Sequence, residues 1–158
     1  MNSNVNIIDH IQTEGFSNNT PMSKIVFNSL KMVNDFKNKG IVPRKSLILQ
    51  PPLIDEQYFL PFILGYFDGD GSIYKLSQNN RYEISFVGTK EMLTWICEVL
   101  HLTNIPLLKR NYDNKNNYHI KIGGTNIAYS ILKQLYESSP VFLDRKYEIY
   151  LNLKNSRS

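Results

Sequence analysis

The stretch Phe62-Ile63-Leu64-Gly65-Tyr66-Phe67-Asp68-Gly69-Asp70-Gly71-Ser72 decides how this chain reads. It opens as an apolar, helix-like run, carries glycines four apart, and ends in two acids set between glycines. Residues four apart are neighbours on a helix, so Gly65 and Gly69 share one face. Each glycine costs about 1 kcal/mol of helix stability relative to alanine. Close approach of a second backbone is the compensating reason. Carboxylates at the C-terminal end of a helix meet the negative pole of its dipole, which is unfavourable without a cation. Two such helices packed through their glycines would bring two Asp carboxylates side by side. Like charges that close raise a pKa or recruit a divalent metal. Mg²⁺ suits the position, because it takes oxygen ligands and keeps several waters.

Working outward, Asp55 suits a helix N-terminus, giving a helix from there to about Asp70; a start near Phe59, with Pro61 in the first turn, is the alternative. Downstream, Ser72 to Ser77 and Tyr82 to Val87 alternate as two strands joined by Gln78-Asn79-Asn80-Arg81. Ile84 and Phe86 face one side, Glu83 and Ser85 the other. Thr89 caps a helix to about Leu102, with Leu93, Ile96, Val99 and Leu100 inward. Leu107 to Tyr112 and Asn117 to Gly123 make a second hairpin, in which Tyr118, Ile120 and Ile122 alternate with His119 and Lys121. Thr125 caps a helix to about Tyr136, and Phe142 to Leu153 form a last one. The order is α-β-β-α-β-β-α plus a terminal helix, an α+β domain with helices on the apolar face of an antiparallel sheet. The other sheet face is read as carrying Lys75, Arg81, His119 and Lys121, with Lys109 or Arg110 beside them. It is either a solvated polar face or a surface for the DNA major groove.

Upstream, residues 1–24 read as a flexible polar tail with a short helix around Val5 to Ile11. Residues 25–52 hold a helix from about Ser29 to Lys39, capped by Asn28 and stopped by Gly40, then an extended connector with Arg44-Lys45-Ser46. Leu30, Val33 and Phe36 would form its inner face. Residues 53–158 make up the α+β domain. The helix, link and Arg-Lys pair of residues 28–45 echo residues 126–146, as if 25–46 were the tail of an upstream repeat.

Composition bounds the rest. The 158 residues, 42% hydrophobic and 20% charged, are those of a globular domain with a sizeable core. A formal charge of +4 and a pI near 9.1 permit nucleic-acid binding without requiring it. The one cysteine, Cys97, excludes an internal disulfide and reads as core filler. His10, His101 and His119 lack metal-ligand spacing. No apolar run has transmembrane length, so no membrane role is expected, and a soluble intracellular protein, in cytoplasm or an organellar matrix, is.

Ile63 to Gly71, ILGYFDGDG, resembles the LAGLIDADG signature of homing endonucleases and their maturase relatives, with matches at Gly65, Asp68, Asp70 and Gly71. Phe86-Val87-Gly88-Thr89-Lys90-Glu91 and Phe142-Leu143-Asp144-Arg145-Lys146-Tyr147 look like later pieces of the same family, and the resemblance spans about residues 25–153. It implies a saddle-like sheet and a site-specific double-strand DNA endonuclease using Mg²⁺ or Mn²⁺. Asp70 and the Gly69 carbonyl would hold the metal. Lys146, with Arg145 as its competitor, would lie near the active-site water, and Asp68 would brace the helix end. As a single-motif chain it would form a homodimer across Phe62, Gly65, Tyr66 and Gly69; a remnant of a two-repeat protein is the alternative. Lys75, Arg81, Lys109, Arg110, His119 and Lys121 would contact double-stranded DNA. At Val87 several members carry a polar residue that orders water, and this departure puts efficient cleavage in doubt. The rival readings are a non-cleaving binder, either an RNA maturase or a transcription regulator, and an inactive remnant. No splice-junction residues of an intein are evident, so self-splicing is not expected.

Overall fold

The computed structural model describes residues 6–12, 19–41, 47–76, 81–110 and 116–156. The chain divides into two units, Met1–Asp35 and Phe36–Ser158. In the first, β1 (Ile8–Gln12) pairs antiparallel with β2 (Thr20–Lys24), placing Ile8 opposite Lys24 and Ile11 opposite Pro21. This replaces the short helix expected around Val5 to Ile11, of which Val5 lies outside the described residues. Ile8 and Ile11 are both exposed, and a short isolated helix without a buried face is marginal in water. Pro21 is tolerated because a two-stranded ribbon has only edge strands.

Helix α1 (Leu30–Asn38) begins on Ser29, whose hydroxyl accepts from Met32 N at 3.2 Å; Asn28, the expected cap, is one residue too early. It ends before Gly40, which sits at φ +83°, a conformation that suits glycine. Leu30, Val33 and Phe36, the expected inner face of α1, are all exposed. The Arg44-Lys45-Ser46 connector lies outside the described residues.

The second unit is organised around α2 (Phe59–Asp70), preceded by a single 3₁₀ turn, Glu56–Tyr58. Of the two starts considered, the one near Phe59 is found. Pro61 falls in the first turn, where its missing N–H costs no intrahelical bond. Ile63, Leu64 and Phe67 are buried, and Gly65, Gly69 and Asp70 are exposed on the other side. Gly71 N closes the helix on Phe67 O at 2.9 Å. A Cβ at Gly71 would stand 2.7 Å from the Phe67 carbonyl oxygen and press into the Phe67 ring, so this closure requires glycine.

Four strands follow in the order β3-β4-β6-β5, all antiparallel: β3 (Ser72–Lys75), β4 (Tyr82–Gly88), β5 (Leu108–Lys109) and β6 (Tyr118–Gly123). The central β4–β6 pair joins the two expected hairpins. Ile84 lies opposite Ile73 and Ile122, and Phe86 opposite Ile120, so one face is continuously apolar and buried. Gln78, Asn79 and Asn80 of the first turn, and Asp113 to Lys115 of the second, lie outside the described residues.

Three further helices complete the unit: α3 (Lys90–Val99), α4 (Thr125–Glu137) and α5 (Asp144–Asn155). Thr89 caps α3 as expected, accepting from Met92 N at 3.2 Å, and its hydroxyl also donates to Leu49 O at 2.5 Å. Thr125 does not cap α4. Gly124, at φ +124° with its N–H on Tyr82 O at 3.0 Å, turns the chain from β6 into the helix, and Thr125 is already helical. Leu93, Ile96, Ile131, Leu132 and Leu135 pack with the apolar sheet face and α2 in one core. Beside them Tyr136, Phe142, Tyr147 and Tyr150 make a ring cluster with centroids 4.1–5.8 Å apart. The unit is therefore α+β with an antiparallel sheet. No described helix is long and apolar enough to cross a membrane.

Candidate active site

The exposed side of α2 carries the residues that the sequence singles out. Phe62, Gly65, Tyr66 and Gly69 fall on one face and, with Pro61 and Asp70, line a shallow groove of about 320 Å³. A Cβ built at Gly65 or Gly69 would meet nothing within 4 Å. Among the described residues the glycines are therefore not needed for packing, although each weakens the helix. Phe62 leans edge-on against Trp95 at 5.9 Å, so one half of the groove has an aromatic floor.

Asp70 ends this face. Its carboxylate is exposed and has no hydrogen bond or ion pair among the described residues. It also borders a second cleft, of about 280 Å³, lined by Leu47, Leu49, Tyr66, Val87, Gly88, Arg110 and Asn117. One acid thus stands at the junction of the groove and the cleft, with a guanidinium on the far wall. Among the described residues no cluster of three or more His, Cys, Asp or Glu could hold a metal. One Asp beside the exposed Gly69 is a partial donor set, suited to a cation that keeps its waters and shares its ligands. Val87 contributes only an apolar side chain to the cleft, so the departure noted in the sequence falls at the acid.

Tyr66 connects this cleft to the sheet. Its hydroxyl donates to Val87 O at 2.7 Å, across the strand end where Gly88 leaves room for it. A Cβ at Gly88 would collide with that hydroxyl. Burial, and then the charge of Asp70, push the Tyr66 phenol up to about 12. A phenol held above its unfolded pKa of about 10 adds stability below that pH and loses it as pH rises to 12. Tyr66→Phe should therefore flatten part of the alkaline stability loss between pH 10 and 12, read by chemical denaturation at stepped pH. An identical alkaline limb in the two proteins would contradict this.

Two charged groups lie beneath Asp70. Lys146, expected near an active-site water, is buried, and its ammonium donates to Phe67 O, to Asp68 O at 3.1 Å and to Gly71 O at 2.6 Å. Burial, with Arg145 nearby, lowers its pKa, and Asp68 and Asp70 oppose that shift. Asp68 braces the helix end as expected, its Oδ2 accepting from Leu143 N at 2.8 Å. Arg145 is exposed.

The sheet face away from the helices holds Ser72, Tyr74, Glu83, Ser85, His119 and Lys121, as the strand register dictates. Partial burial and the Lys121 and Arg110 charges lower the pKa of His119. Two expectations are corrected by register. Lys75 shares the parity of buried Ile73, and Lys109 lies opposite Tyr118, so both belong to the strands' other side. Arg81 precedes β4 and accepts through its carbonyl from Leu76 N at 2.7 Å. The face is not uniformly basic either. Glu83 accepts from the Tyr74 hydroxyl and sits 3.8 Å from Lys121 Nζ. Sequence reasoning missed Asn117 as a cleft residue; hairpin pairing with Arg110 brings it there, and no local signal marks it.

No family model and no curated protein matches this sequence. Among solved structures, the chain is similar to the homing endonuclease I-CvuI in complex with the I-CreI target C1221, in the presence of 2 mM Mg with the DNA not cleaved. There the identity is 16%, the TM-score 0.46, and the match covers 63% of this chain and 66% of that one. For I-CvuI with its target Sro1.3 and 2 mM Ca the values are 16%, 0.45, 65% and 71%. For the homing endonuclease I-TnaI they are 15%, 0.44, 61% and 69%. Each of these three structures is of a homing endonuclease.

Proposed function

We propose that this chain is a site-specific DNA endonuclease of the homing type, working as a homodimer with a divalent metal. The observation that carries the reading is the position of Asp70, an exposed carboxylate without a hydrogen bond or ion pair among the described residues, at the end of a helix face where a Cβ on Gly65 or Gly69 would meet none of those residues within 4 Å. A second copy of α2 seated on that face would account for the glycines and bring a second Asp70 to the first. Asp70 and the Gly69 carbonyl would hold Mg²⁺ or Mn²⁺, which when bound supplies an activated water and neutralises charge on the scissile phosphate. Arg110, on the far wall of the cleft, would bind a phosphate oxygen. His119 and Lys121, held by the central strand, would face base edges, with Glu83 as an acceptor for a cytosine amino group. Isologous pairing of two copies implies a palindromic or near-palindromic target.

One observation favours the non-cleaving alternative, an RNA maturase or transcription regulator on the same scaffold, or an inactive remnant: Val87 stands in the cleft without a polar group to order water. Incubating the protein with a randomised plasmid library separates the readings. The endonuclease reading expects a discrete set of sequences cut with Mg²⁺ and none with excess chelator. Tight DNA binding with every library member left intact would overturn it.

A further inference from the structure

The chemistry under α2 goes beyond the role that sequence resemblance implies for Lys146. The Lys146 ammonium lies in a side chain that is 2% exposed, and its donors point at three backbone carbonyls, those of Phe67, Asp68 and Gly71. An ammonium has three protons and no lone pair, so this set of partners occupies its whole donor capacity. Its charge also sits 4.6 Å from the centroid of the Phe67 ring. The three carbonyls flank Gly69 and Asp70 on both sides. In the opposite direction Asp68 reaches from α2 to Leu143 N, the residue that precedes α5. Each helix therefore supplies the charge that the other's terminus favours: a cation at the C-terminal carbonyls of α2, and an anion at the N-terminus of α5. Among the described residues buried Asp68 Oδ1 has no hydrogen-bond partner, and its charge interacts with that of the Lys146 ammonium.

We propose that Lys146 is a positioning residue: with Asp68 it forms a reciprocal latch between α2 and α5 that fixes the peptide frame around Gly69 and Asp70, and it does not exchange protons with the reacting water. The inference rests on the endonuclease reading for its consequence in cleavage, but not for the latch. The ammonium also sets a positive charge where the helix dipole and Asp70 would otherwise repel each other, which lets an acid stand at that end.

The test uses Lys146→Met, which keeps the length of the side chain and removes its charge and donors. In metal-free protein, amide exchange at Gly71 and Leu143 should quicken by at least about tenfold while Phe86 in β4 stays slow. On a sequence cut by the wild-type protein, kcat should fall by roughly 10- to 100-fold, the range seen when groups that orient metal ligands are removed, with KM held and the shape of the pH–rate profile unchanged. Unchanged exchange at Gly71 and Leu143 overturns the latch. So does loss of one limb of the pH profile, which would place Lys146 on the water. If Lys146→Met does not fold, exchange in the wild-type protein decides. Gly71 and Leu143 must then be as protected as Phe86, and fast local exchange there overturns the proposal. Wild-type protein that shows the protected latch but cuts nothing would mark failure of the endonuclease reading and, with it, of the catalytic consequence.

Discussion

Asp70→Asn should bind target DNA as the wild-type protein does and lose cleavage by about a thousandfold. The size follows from the task assigned to the carboxylate. A bound divalent ion stabilises phosphoryl-transfer charge by several kcal/mol, and each 1.36 kcal/mol is tenfold in rate. The separation from binding follows from position. Asp70 ends α2, while the candidate DNA-facing residues His119 and Lys121 belong to β6. Folding should not suffer, because the carboxylate is exposed and makes no hydrogen bond among the described residues. Removing an anion from a helix C-terminus is favourable by about 0.3–1 kcal/mol. Denaturation, DNA-binding and single-turnover cleavage on one preparation check all three. Cleavage within tenfold of wild type would place the metal-binding acid elsewhere.

Gly65→Arg is the second large effect, and it has opposite signs for chain and assembly. In the single chain a Cβ added at this position meets nothing within 4 Å among the described residues, and arginine replaces glycine by a good helix former. The fold should therefore hold or gain up to about 1 kcal/mol. At an isologous seam the residue near the axis faces its own copy, so one substitution places two bulky cations together. Juxtaposed like charges cost several kcal/mol, so the dimer constant should weaken by at least about a hundredfold. Sedimentation together with thermal unfolding reads both. A Gly65→Arg protein that stays dimeric would show that the copies meet through another surface.

What the sequence made legible, and what it hid, divides by range. Alternation in Ile84/Phe86 and in Tyr118/Ile120/Ile122 was enough to find both long strands, because one buried face enforces a period of two. Around Ile8 and Ile11 the sequence offers no such period, and the short helix expected there is a strand paired with Thr20–Lys24. In α1 the apolar stripe has the right spacing but remains exposed. Lys75 was assigned to the wrong parity, and Lys109 was left open against Arg110, because both lysines sit at strand ends, where charge alone does not tell which way a side chain points. At the candidate site, Gly65, Gly69 and Asp70 could be read from one turn-by-turn pattern. The use of Lys146 could not. A lysine reads as surface charge until the carbonyls that bury it are known, and these lie 75 to 79 residues away in the chain. The same distance hides the bond between Asp68 and Leu143.

What covers the glycine face of α2 decides whether two copies bring their Asp70 residues together. An isotope-filtered NOE experiment on an equal mixture of labelled and unlabelled protein examines that face directly. Cross-peaks between copies, linking Gly65 and Gly69 α-protons to each other and to the Phe62 ring, are the predicted result. A protein that remains at its monomer mass of 18.4 kDa with and without a cleavable DNA, and gives no such cross-peaks, would contradict it.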